Sequence, residues 1–174
     1  MFNRTIINDL KHWKEQKDRK PLMMLGARQV GKTSVLKRFG RECFEHCVYF
    51  SLDEEAGVCD IFRTTKNPTQ IIEQLSYLTD EPILPEKTLL VLDEIQDCPE
   101  AISSMKYFCE KTPEYAIACA GSLLGLAFGH EGFSFPVGKV DHINMYPVTF
   151  SEFLEHLFNS SSGGAFSAIA DWVF

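Results

Sequence analysis

Leu22-Met23-Met24-Leu25-Gly26-Ala27-Arg28-Gln29-Val30-Gly31-Lys32-Thr33 is an apolar run that breaks at a glycine, crosses a short polar loop and ends in a lysine and a threonine. The spacing G-x-x-x-x-G-K-T is that of a phosphate-binding loop, or P-loop, set between a buried strand and a helix. Its two glycines let successive backbone N–H groups and the N-terminus of the next helix converge on an anion with no Cβ in the way. Lys32 is then placed to reach the β- and γ-phosphates, and the Thr33 hydroxyl to hold Mg²⁺. Val35, Leu36 and Phe39 follow at helical spacing, as a helix packed behind such a loop requires. The expected nucleotide cradle is Gly26, Ala27, Arg28, Gln29, Val30, Gly31, Lys32, Thr33 and Ser34.

Working outward, Ile6, Leu10 and Trp13 predict an amphipathic helix, separated from the first strand by the solvated turn Lys17-Asp18-Arg19-Lys20-Pro21. Cys47-Val48-Tyr49-Phe50-Ser51-Leu52 reads as a second strand, and Asp53-Glu54-Glu55 as a solvated loop, with a place near the nucleotide as the alternative. Asn67-Pro68-Thr69-Gln70 carries the start signals of a helix, with Ile71, Ile72, Leu75 and Leu78 on one face. Thr88 to Leu92 and Tyr115 to Ala120 are continuous apolar runs, expected of parallel strands buried on both faces, and Pro99 opens a helix between them through about Lys111. Val140 to Met145 suggests one more strand, after a loop over Glu131 to Pro136. Strands alternating with helices predict an α/β fold with a mainly parallel sheet flanked by helices.

Near the C-terminus, Thr149 and Glu152 have the spacing of a capping box, and Val148 and Phe153 that of a hydrophobic staple. Phe150, Phe153, Leu154, Leu157 and Phe158 form an apolar stripe that reads as core. Asn159-Ser160-Ser161-Ser162-Gly163-Gly164 reads as a flexible joint. The chain of 174 residues therefore divides into a core over residues 1–158 and a short remainder over 159–174.

With 17 basic against 24 acidic residues, a broad electrostatic surface for DNA or RNA is unsupported. The six cysteines form no C-x-x-C pair and suit free thiols, and the charged N-terminal segment does not resemble a signal peptide. Uncharged stretches are too short and too broken by glycine to span a bilayer. The expected compartment is the cytoplasm, with no membrane partner.

Hydrolysis of a bound nucleotide needs a cation against the β- and γ-oxygens and a group that orients the attacking water. Asp93 and Glu94, delivered by the end of the Leu89–Leu92 run, supply the candidates for these two tasks. Strand ends meet at the carboxyl edge of a parallel sheet, which is where a P-loop also opens. Ser122 ends the next apolar strand and is a candidate for contact with the γ-phosphate or water, or simply a turn residue. Arg28 has two readings, contact with phosphate or pairing with Asp93, Glu94 or Asp53. Gln96 either reads out nucleotide state or opens a helix. No Asn-Lys-x-Asp guanine motif follows, so ATP is the expected nucleotide. A nucleotide-dependent switch with negligible turnover and a small-molecule kinase are the alternatives to an ATPase.

Taken together, these residues resemble a family of prokaryotic AAA+-like ATPases. The likeness rests on Gly26 to Thr33, on Leu92-Asp93-Glu94-Ile95-Gln96 and on Ala120-Gly121-Ser122. More diagnostic are Phe135-Pro136-Val137-Gly138-Lys139-Val140 and Tyr146-Pro147-Val148-Thr149-Phe150-Ser151-Glu152-Phe153. The resemblance implies an AAA+/ASCE-like P-loop core that binds ATP and Mg²⁺. Lys32 and Thr33 would serve phosphate and Mg²⁺, Asp93 and Glu94 would form the Walker B pair, and Ser122 would be sensor-like. At the position of Lys139 many relatives carry an arginine that could act in trans as a finger on a neighbouring subunit's nucleotide, a role for which lysine lacks the bidentate fork. Relatives also continue into a helical lid and a nuclease-like domain, so the chain resembles an ATPase core cut short, with a partner domain or protein implied.

Overall fold

In the computed structural model, residues 4–122 and 136–154 are described. Five strands form one parallel sheet: β1 (Leu22–Gly26), β2 (His46–Ser51), β3 (Thr88–Asp93), β4 (Ala116–Ser122) and β5 (Asp141–Met145). Their order across the sheet is β2-β3-β4-β1-β5, so β4 is inserted between the P-loop strand and the strand that carries Asp93. Among the described residues, helices α1 (Ile6–Glu15), α2 (Lys32–Cys43), α3 (Ala56–Thr64), α4 (Pro68–Ser76) and α5 (Pro99–Lys111) cover the faces, and a further helical segment over residues 150–154 follows β5.

Strand alternation sorts the core into two layers. Leu22 and Met24, Leu89 and Val91, and Ala116, Ala118 and Ala120 face α1 and α2, where Leu10, Trp13, Val35, Leu36 and Phe39 meet them. Met23, Leu90, Leu92, Ile117 and Cys119 face the opposite layer with Phe62, Ile71, Leu75, Met105 and Phe108. Every residue of β3 and β4 is buried, which accounts for their unbroken apolar runs. The α2 side is tightly packed. A Cβ added at Gly40 would lie 2.3 Å from Cys47 Sγ, so only glycine lets α2 approach β2 this closely.

The helix at Asn67 forms as expected, with Asn67 Oδ1 accepting from Thr69 N at 3.1 Å and Pro68 at the first position. It ends at Ser76, however, and Leu78 is exposed rather than on the buried face. Helix α3 was not anticipated by the reading of residues 53–55 as the end of an element. Val58, Ile61 and Phe62 give it a buried face of its own. The capping box after β5 is realised in both directions: Thr149 N donates to Glu152 Oε2 at 2.9 Å, and Glu152 N to Thr149 Oγ1 at 3.3 Å. Phe150 is 74% exposed and Phe153 43%, so this part of the expected core stripe faces outward. The turn is held instead by Glu152, buried against the N-terminal segment. The loop over 131–135, the stripe residues Leu157 and Phe158 and the joint at 159–164 lie outside the described residues.

Candidate functional site

The P-loop joins the end of β1 to the start of α2 through a left-handed turn. Gly31 caps α2 with φ 95°, a conformation that costs glycine little, and Gln29 takes φ 63° just before it. Gly26 is required for another reason, since a Cβ there would stand 2.3 Å from the Met145 carbonyl oxygen of β5. Lys32 is buried and folds back over the loop. Its Nζ donates to the carbonyls of Ala27 at 2.8 Å and Gly26 at 3.1 Å, which leaves one of the three ammonium hydrogens to an incoming ligand.

Asp93 continues the alternation of Leu89 and Val91, so its carboxylate emerges on the α2 face where Thr33 begins the helix. Thr33 Oγ1 donates to Asp93 Oδ2 at 2.5 Å, and Glu94 N donates to Oδ1 at 3.0 Å. The same Oδ2 accepts from the Tyr49 hydroxyl at 3.1 Å. Tyr49 was not singled out from the sequence. Its signal is a hydroxyl-bearing residue in an apolar strand, level with Val91 on the neighbouring strand. Burial, with the Asp93 charge adding to it, pushes the Tyr49 hydroxyl up to about 12. It therefore acts as a neutral donor to Asp93.

Glu94 leaves the strand with φ 49° and ψ 45°, a left-handed conformation that costs a non-glycine residue about 1–3 kcal/mol. Gln96 Nε2 donates to Glu94 Oε2 at 2.5 Å, while Gln96 Oε1 accepts from Ser122 N at 3.2 Å. Ser122 is in register with Gly26 across β4 and β1, which brings it beside the loop. Lys32, Thr33, Asp93, Glu94, Gln96 and Ser122 thus share one edge of the sheet.

Other candidates fall elsewhere. Arg28 is exposed and forms no ion pair with Asp93, Glu94 or Asp53. Asp53 Oδ1 accepts from Ser51 Oγ at 2.6 Å, and Glu55 Oε1 from Ser51 N at 3.0 Å, so these acids shape the turn between β2 and α3. Lys139 precedes β5 at the edge of the sheet opposite the P-loop and pairs with Glu110 at 2.8 Å. It takes no part in this chain's own phosphate site.

An arginine that the sequence did not point to completes the loop's surroundings. Arg4 Nη1 donates to the carbonyl of Val30 in the P-loop at 3.1 Å, Nη2 to the carbonyl of Tyr146 at 2.5 Å, and Nε to Glu152 Oε1 at 3.3 Å. Thr5 adds its N–H and its hydroxyl to the same Glu152 oxygen, both at 2.9 Å. Burial acts to raise the Glu152 pKa, but the hydrogen bonds from Thr149 and Thr5 and the Arg4 charge outweigh it and bring it down to about 2. A cleft of about 220 Å³ opens here, lined by Arg4, Thr5, Asp9, Asn144, Tyr146 and Glu152 among others. Among the described residues, no helix is long and apolar enough to cross a membrane.

Comparison with known proteins agrees with this architecture. The structure of Drosophila ORC bound to DNA is similar at a TM-score of 0.54 and 11% identity, over 88% of this chain and 45% of that one. The structure of AMPPCP-bound DnaA from Aquifex aeolicus is similar at a TM-score of 0.52 and 14% identity, over 97% of this chain and 53% of that one. The chain spans about half the length of these structures, and at such identities the likeness establishes the fold, a P-loop NTPase α/β core. Among curated proteins, none matches in sequence. The AAA domain family matches residues 18–154, from the turn before β1 to the helix after β5. That match spans most of the chain and every strand of the sheet, and on it the chain belongs to the AAA domain family.

Proposed function

We propose that the chain is an ATP-binding, Mg²⁺-dependent ATPase module whose hydrolysis gates a partner domain or complex. The observation that carries this reading is the contact of Thr33 Oγ1 with Asp93 Oδ2 at 2.5 Å, with Glu94 the next residue along the chain. It joins the phosphate cradle to the acidic strand end.

A hydroxyl and a carboxylate in contact are hard oxygen donors of the kind Mg²⁺ takes, so the ion fits at Thr33 and Asp93. When bound, Mg²⁺ neutralises charge on the β- and γ-phosphates. The chain's own groups do the rest. Backbone N–H groups of residues 26–34 and the N-terminus of α2 receive the phosphates, and Lys32 adds its charge from within the loop. Tyr49 holds the Asp93 carboxylate in place from β2. Glu94 orients a water and takes its proton, and Ser122, level with Gly26, offers its hydroxyl to the γ-phosphate or to that water.

Absence of a guanine motif supports ATP over GTP, and the similar DnaA structure is described as AMPPCP-bound. Assembly with further copies or with a partner protein belongs to the same reading. It is tested by phosphate release from ATP under wild-type and Glu94→Gln chains. The variant should bind ATP as well as wild type and turn over about 10²–10⁴-fold more slowly, the usual contribution of a general base. Wild-type hydrolysis by Glu94→Gln would remove Glu94 from the role.

A further inference from the structure

Gln96 sits in a 3-10 turn, Ile95–Asp97, pinned by the wholly buried Ile95. Its side-chain amide makes three hydrogen bonds. Nε2 donates to Glu94 Oε2 at 2.5 Å and to Asp97 Oδ2 at 3.1 Å, and Oε1 accepts from Ser122 N at 3.2 Å. The way round of this amide follows from chemistry. A backbone N–H can only donate, so the oxygen must face Ser122, and the NH₂ must face the two carboxylates, which can only accept when ionised.

Glu94 needs such a restraint more than most glutamates. Its backbone is held in the left-handed region between the end of β3 and the 3-10 turn, and three rotatable bonds separate the carboxylate from the Cα. A general base contributes only when it is held within hydrogen-bond reach of the proton it takes. Gln96 engages one carboxylate oxygen, and Glu94 Oε1 receives no bond from any described residue.

Resting on the ATPase reading above, we infer that Gln96 is a positioning residue, which pins Glu94 Oε2 so that Oε1 faces the attacking water. Its other end is anchored on the backbone of Ser122, so the base is aimed with reference to the end of β4. That is the strand lying between the P-loop strand and β3. A displacement at the end of β4 is transmitted to the base through one amide.

The test is a double-mutant cycle on the full chain, with ATP turnover and KM measured for wild type, Gln96→Leu, Glu94→Gln and the double variant. Gln96→Leu should lower kcat about tenfold or more, with KM for ATP within about twofold. In the Glu94→Gln background the same change should cost less than about twofold, because Gln96 acts through Glu94. Gln96→Glu serves as the second variant should leucine disturb folding. It keeps the shape, cannot donate when ionised, sets a third carboxylate beside Glu94 and Asp97, and should lose at least as much turnover. Unchanged kcat in the Gln96 variants, a rise in KM alone, or an equal loss in both backgrounds would overturn the positioning role. Wild-type turnover by Glu94→Gln, or no phosphate release by wild type, would instead overturn the reading on which it rests.

Discussion

Glu152 Oε1 accepts a hydrogen bond from Arg4 Nε at 3.3 Å, although 148 positions separate the two residues. Through this pair the first described residues, the P-loop carbonyl of Val30 and the turn after β5 are tied at one point. The tie is charged and buried, with Glu152 only 3% exposed, so it is sensitive both to mutation and to pH.

Glu152→Gln keeps the size of the side chain but loses the charge, and should cost about 2 kcal/mol at neutral pH, as for hydrogen bonds to a charged group. The Glu152 pKa is lowered from 4.5 to about 2, so its contribution is present in full above about pH 4.5 and is lost as pH falls toward 2. Urea unfolding should therefore show the gap between wild type and Glu152→Gln narrowing below pH 4.5. An equal gap at pH 7 and pH 3.5 would show that the charge is not what matters.

Lys32→Ala removes the ammonium that now spans the Gly26 and Ala27 carbonyls. ATP affinity by titration calorimetry should fall by about 2–3 kcal/mol, roughly 30- to 150-fold, in line with loss of charge-assisted hydrogen bonds. Adenosine affinity should change little. A matching loss for adenosine would place the damage in the fold rather than at phosphate.

Tyr49→Phe deletes the hydroxyl that donates to Asp93 Oδ2 while leaving the ring under Lys37. Losing one bond to a carboxylate is worth about 1.5–3 kcal/mol at most when buried. The Mg²⁺ concentration for half-maximal turnover should rise several-fold, with kcat at saturating Mg²⁺ close to wild type. An unchanged Mg²⁺ requirement would reduce Tyr49 to packing.

Gly26→Ala puts a methyl group 2.3 Å from the Met145 carbonyl oxygen, an atom that cannot move without the β5 backbone. Thermal unfolding should report a loss of about 1–3 kcal/mol, as overpacking does, together with weaker ATP binding. At Gly31, where a Cβ would make only an ordinary contact with Met145 Cε at 3.6 Å but φ is 95°, alanine should act through backbone strain instead.

Local patterns were enough for the strands, the P-loop and the capping box, because each depends on residues within one or two turns of chain. Apolar runs ending in Gly26, Asp93 and Ser122 marked strands buried on both faces, and those strands are where they were expected. Helix α3 escaped notice because the acids before it read as a loop, although Val58 and Phe62 already stood four apart. Phe150 and Phe153 misled in the other direction: their helical spacing is real, but spacing does not say which face a neighbour covers.

Tyr49, Arg4 and the tie of Glu152 to the N-terminal segment were not legible at all. Each acts through a contact between elements distant in sequence, and nothing in a local window encodes the partner. The chain by itself determined the chemistry on offer, namely a phosphate loop, an Asp-Glu strand end and a serine at the next one, because those depend on residue type and short spacing. Only the tertiary structure decided that β4 stands between β1 and β3, which sets Ser122 level with Gly26 and leaves Gln96 to bridge Ser122 and Glu94. Strand order is settled by packing of the whole sheet between its two helix layers, and that is a property no single stretch of sequence carries.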